Sequence, residues 1–195
     1  MMIEQSHEAR RPMWMIVGPA LGTMLAGYLL GALFGPLREG IQHAMGLSVA
    51  VSLVVLLIHL VPLVVGIGVG WLLGRRTPNA VAIPAIALIL IGVLAMALAP
   101  AAYVVMAASL FLGIGSGAVT GVALALAGDT GERRPAMLIA VAAVAFVGLL
   151  FGLVLGWFLT TAVSWRWVYF LAVPMALVSL AVTGVTGLVG ATKRS

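Results

Sequence analysis

The sequence predicts an all-α integral membrane protein, six transmembrane helices arranged as two inverted three-helix repeats. Three observations point there. The 195-residue chain is 64% hydrophobic and only 8% charged, with a mean hydropathy of +1.26. A core of this size cannot hide so much apolar surface, so the solvent is lipid. Apolar runs long enough to cross a bilayer follow one another along the chain, parted by short polar breaks. Short strings in the first half also reappear, in the same order, in the second.

The first run is Trp14–Phe34, after a segment carrying Glu4, Glu8, Arg10 and Arg11. It is long and no A-x-A site closes it, so it reads as an uncleaved span rather than a signal peptide. The break GPLREGIQHAMGL leads to a second run, Ser48–Leu73, which stops at GRRTPN. The third, Ala80–Ala99, ends at Pro100, and the fourth, Ala102–Ala127, ends at GDTGERRP. The fifth is Ala136–Ala162, the turn SWR follows, and the sixth is Trp167–Gly190. The organisation expected is a cytoplasmic segment 1–13, a six-helix domain 14–190 and a cytoplasmic tail 191–195.

Net charge is +5, which in a membrane chain is first a topology signal. Arg10, Arg11, Arg75, Arg76, Arg133, Arg134, Lys193 and Arg194 fall on one side, and only Arg38 and Arg166 on the other. That bias places both termini in the cytoplasm, in a cell or inner membrane. The basic residues form no aromatic-interleaved face, so nucleic acid is not an expected partner.

The repeat rests on GVGWLLGRR in span two against LVLGWFLTT in span five, and AIPAIALILIG in span three against AVPMALVSLAVTG in span six. Gly70-Trp71 then answers Gly156-Trp157, and Pro84 answers Pro174. Three-span units must sit inverted relative to each other, a pattern found in transporters. Glycines at four-residue spacing mark helix faces where a neighbouring backbone comes close. Gly113, Gly117 and Gly121 form one such face, and Gly148, Gly152 and Gly156 another. GIGSGAVTG also looks like a dinucleotide loop, but it lacks the preceding strand and the following acid.

Every Asp and Glu lies outside the spans. The one ionisable side chain near a span centre is His59, whose ordinary pKa of about 6.5 suits a proton carrier or substrate contact. The plainer reading is a neutral imidazole donating one hydrogen bond to a neighbouring helix, with Pro62 freeing a carbonyl. Catalysis is not expected. An intramembrane serine protease needs a histidine on the sixth span, and that span has none. No H-E-x-x-H occurs, no metal is expected, and no cofactor is implied. With no cysteine, thiol chemistry is excluded.

SWRWVYFLAVP sits at the outer turn between spans five and six. Trp165, Trp167 and Tyr169 suit an aromatic belt, and Arg166 suits interfacial phosphate or the carbonyl end of span five. The same string resembles the W-R-W-x-F-x-x-x-x-P turn of the major facilitator superfamily, in its drug:proton antiporter branches. GVGWLLGRRTP is similar to the family's loop motif, AASLFLGIGSGAVTG to its fourth helix, and GLLFGLVLGW to the glycine motif of its fifth. ALAGDTGERRPAML is similar to the cytoplasmic loop after helix four. The resemblance covers Gly18 to Gly190, half of the family's usual twelve or fourteen helices.

The resemblance implies half of a major facilitator fold, with Gly70, Arg75, Arg76, Asp129 and Arg133 in gating or loop-motif positions. Gly74 stands where the family has Asp, Ser109 replaces an Arg, Leu112 a Gln, Leu153 a Pro and Trp157 a Gly. The packing glycines are kept and the coupling charges are not. The implied function is a half-size transporter, dimeric and working by alternating access on a neutral, amphipathic or lipid-like small molecule. Its walls would carry Thr23, Tyr28, Ser109, Ser116 and Thr120, an uncharged lining that suits facilitated movement better than pumping unless His59 carries the proton. A homodimer is expected, with a second half-transporter as the alternative partner. The other function open is a non-transporting accessory subunit of a larger membrane complex, binding lipid or pigment.

Overall fold

The computed structural model describes residues 13–192. The segments 1–12 and 193–195, with their basic residues, lie outside the described residues. Among the described residues the chain is helical throughout, with no strand. A short 3-10 turn, Met13–Ile16, leads into α1, Val17–Leu33. Then follow α2 (Leu37–Met45), α3 (Val49–Gly74), α4 (Pro78–Ala97), α5 (Ala102–Gly128), α6 (Arg134–Ala162) and α7 (Arg166–Thr192). Six of these, all but α2, are long and apolar enough to cross a membrane. The expected spans therefore form, with ends displaced by a few residues.

The break between spans one and two contains a further helix, α2, which the apolar runs do not announce. It is short and amphipathic: Leu37 and Ile41 are buried, and Glu39 and His43 face outward. It stops at Gly46, whose φ of 62° only glycine adopts cheaply, and the Leu47 N–H donates to the Gln42 carbonyl at 2.9 Å. Ser48 then caps α3 by accepting from the Val51 N–H at 3.3 Å. Pro78 opens α4, and Pro135 lies in the first turn of α6, where a missing N–H costs nothing.

α1 and α5 form the centre and are mostly buried, while α3 and α6 bury little more than one stripe each. The stripe of α3 is Ser52, Val55, His59, Gly66, Gly70 and Gly74; that of α6 is Val141, Gly148, Gly152 and Gly156. α3 runs parallel to α5 and seats its glycines on the Ile114, Ala118 and Val122 backbone, while Gly117 and Gly121 face Leu63 and Ile67 in return. α6 runs parallel to α1 in the same manner, with Gly148, Gly152 and Gly156 on Met24, Tyr28 and Ala32, and Gly27 and Gly31 facing Ala145 and Leu149. Backbone meets backbone at both seams, which supplies the dispersion contacts that hold helices together in lipid. α4 packs antiparallel on α5 and α7 antiparallel on α1, and α4 and α7 also touch each other.

The exposed surface fits the solvent. Val54, Val61, Val64, Val65 and Leu72 on α3, and Phe146, Phe151 and Val154 on α6, all face outward. Such a surface is unstable in water and natural in lipid.

Candidate functional site

Parallel packing of α3 with α5 carries their C-termini to one end of the bundle. The loop-motif residues Arg75, Arg76, Asp129 and Arg133 are exposed there, and the Arg75 guanidinium lies 4.3 Å from the centre of the Trp71 ring. Gly70 and Gly74 are part of the seam with α5, and a side chain at Gly74 would meet the Val122 Cα at 3.0 Å. A larger residue here would press on Val122 more tightly than ordinary contact allows, so glycine suits the close approach of α3 to α5.

The other end holds SWRWVYFLAVP, and here two expectations are corrected. Arg166 does not cap span five: its guanidinium donates to the Ala99 carbonyl, 2.9 Å away, at the end of α4. That carbonyl lies just past the C-terminus of α4, where a cation is favoured by the helix dipole. The Arg166 guanidinium also stacks on Trp165, 4.5 Å from the ring centre. Trp165 and Tyr169 are not belt residues either. Both are buried and meet edge to face at 6.2 Å, leaving Trp167 exposed, with Tyr103 and Trp157 exposed at the same end. The reason is α2: a Cβ at Gly40 would fall 3.4 Å from the Trp165 Cβ, so this helix lies over the turn. Arg166→Ala is expected to cost about 1–2 kcal/mol of stability, and Arg166→Lys to recover only part of it, read as thermal midpoints in detergent.

The residues expected to line a transport path lie inside the single bundle. Thr23, Tyr28, Ser109 and Ser116 are each exposed by 1% or less, so none meets a water-sized space. Most bond locally: Thr23 donates to the Pro19 carbonyl at 2.9 Å, Ser109 to Val105 at 2.8 Å and the half-buried Thr120 to Ser116 at 2.8 Å. Tyr28 reaches across to α7, donating to the Val168 carbonyl at 2.9 Å. The structure thus places these residues in the seams around α1 and α5 and does not gather them around a cavity.

His59 is buried on α3 against α5, 1% exposed. The ring faces the main chain of Ser109 on α5, the one group within reach of it, but neither ring nitrogen meets a partner with good hydrogen-bond geometry, so the bond expected of it is at best weak. α3 runs as one helix through Pro62. Ser116 Oγ and the Tyr169 hydroxyl are likewise buried without a partner.

Two polar features escape sequence reasoning. Ser179 and Thr183 on α7 are fully buried, and Ser179 donates to the Gly18 carbonyl of α1 at 3.0 Å. The four-residue spacing in SLAVTG, like that of Gly18 and Gly22, was the available signal. Arg38, on the unanticipated α2, lines a cleft with Leu33 and Leu56. No group of three or more His, Asp or Glu that could hold a metal occurs among the described residues.

Six long apolar helices with a lipid-compatible exterior define a multi-pass, all-α membrane protein. A scan against models of protein families finds no match, and neither does a search of curated proteins.

Proposed function

We propose that this chain is a six-helix, major-facilitator-like transport unit that works paired with a second six-helix unit. The observation that carries the reading is the duplicated packing. The seam of α3 on α5 and the seam of α6 on α1 use the same device, parallel helices with glycines at four-residue spacing on both sides. Taking Gly27 and Gly31 with Gly117 and Gly121 aligns α1 with α5, and the same displacement along the chain aligns α4 with α7. On that displacement Gly115 and Ile89 correspond to Leu25 and Ser179, on the paired helices α1 and α7, and Pro84 to Pro174, as the sequence match has it. Gly70 answers Gly152 and Gly74 answers Gly156, one turn away from the Gly-Trp match. An inverted duplication of this kind supports a transporter architecture.

The broad exposed faces of α3 and α6 leave room for a partner, and a second copy is the first candidate, related by a two-fold axis along the membrane normal. Tyr103, Ala107, Leu110 and Ile114 make an uncovered face on α5. That face is nearly all apolar, which suits an amphipathic or lipid-like solute. The orientation proposed puts Arg75, Arg76, Arg133 and Arg134 in the cytoplasm.

One observation favours the second reading, an accessory subunit: the polar side chains of α1 and α5 are used within the bundle rather than along a path. Native mass spectrometry of the gently solubilised protein separates the two. A dimer near twice 20.1 kDa is expected, with solute flux in liposomes that depends on it. Release with unrelated proteins and no flux from the purified chain would leave the accessory role.

A further inference from the structure

Where α1, α2 and α3 meet, a cleft of about 490 Å³ opens to the surface. It is lined by the polar Arg38 and Glu39 and the exposed Phe34, and by the more buried Leu33 and Leu56 as an apolar floor. From Leu33, Arg38 and Leu56 it narrows inward to a crevice closed by Ile41 and Val55. The cleft exists because α1 and α3 pack on other helices and scarcely on each other.

Arg38 is half-buried, and no described residue hydrogen-bonds or ion-pairs with it. Glu39 is exposed and next along α2, but consecutive helical residues point apart and do not face each other. The rim therefore offers a cation and an anion side by side, neither neutralising the other. Tyr103, Trp157 and Trp167 are exposed at the same end of the bundle, at the depth where headgroups meet aromatic side chains.

We propose that this cleft binds a membrane phospholipid whose headgroup carries both a phosphodiester and a primary ammonium. Arg38 takes the phosphate through its two-pronged donor set. Glu39 takes the ammonium, and the first carbons of one chain lie on Leu33 and Leu56. A free phosphate or a purely anionic headgroup could pair with Arg38 but would bring no ammonium to the Glu39 carboxylate, whose repulsion would then weaken binding. The apolar floor has no use for an ion without a chain. This site needs no transport activity and stands whichever role the bundle has.

The test uses the full-length chain in nanodiscs of equal parts phosphatidylethanolamine, phosphatidylglycerol and phosphatidylcholine. Lipid retained on release is identified by native mass spectrometry. The wild type is expected to retain phosphatidylethanolamine preferentially. Arg38→Gln should lower that retention about tenfold, and Arg38→Lys should fall between the two, keeping the charge but losing the fork. Glu39→Gln should shift the preference toward phosphatidylglycerol. Equal retention of the three lipids by the wild type, wild-type retention by Arg38→Gln, or displacement of the lipid by millimolar inorganic phosphate would each overturn the proposal.

Discussion

Gly152→Leu is expected to abolish recovery of folded protein, and Gly68→Leu to leave it unchanged. Both glycines lie within long apolar helices, and no propensity scale separates them. Their surroundings do. A Cβ on Gly152 would land on the Tyr28 carbonyl oxygen, with the Tyr28 carbonyl carbon at 2.6 Å and Cα at 2.8 Å. A Cβ on Gly68 would meet nothing within 4 Å. Overpacking costs about 1–3 kcal/mol where side chains can shift aside. Here the obstacle is the backbone of α1, so the whole helix must move away from α6. That separation removes the seam through which α6 is chiefly attached, since most of its remaining surface faces outward. It also disturbs Tyr28, which joins α1 to α7 through Val168. Monodisperse yield on size exclusion, with a thermal melt of whatever is recovered, checks both variants. Wild-type yield for Gly152→Leu would mean that α6 does not dock on α1 as described.

The membrane spans were legible because lipid demands unbroken apolar runs, and the breaks GRRTPN and GDTGERRP stand out against them. α2 was not. Nine residues with two buried side chains give a weak pattern, and the flanking Gly35-Pro36 and Gly46 read as loop punctuation. The glycine stripes announced close packing, yet which stripe meets which helix is a matter of topology. Arg166 shows the same limit: its acceptor, Ala99, lies 67 residues earlier. The direction in which the candidate wall residues face was hidden for a different reason. In a soluble helix the polar face shows which way the helix turns. In α1 and α5 both faces are apolar, so Thr23 and Ser109 carried no directional information. Each satisfies its hydroxyl on a carbonyl of its own helix, so it can be buried without a path to line.

His59→Leu is expected to stabilise the protein by about 1–3 kcal/mol, or about 2–4 °C in thermal midpoint for each kcal/mol. The imidazole lies in the α3–α5 seam with only the Ser109 main chain within reach and no well-formed hydrogen bond to either nitrogen. The hydrogen bonds it loses on leaving water are therefore at most partly replaced. Leucine is similar in bulk and carries no polar atom, so it can fill the same space without that cost. It also leaves Gly113 free to hold its close approach to the His59 backbone, which does not depend on the ring. Under the transport reading the same substitution should abolish proton-linked flux, because no carboxylate lies within the spans to take over the proton. Stability and flux measured on one preparation then distinguish the roles. A more stable protein without flux would show a destabilising group retained for function. A more stable protein with full flux would remove His59 from the mechanism. A less stable protein would mean that the ring is held by the Ser109 main chain it faces, and that this contact offsets its burial.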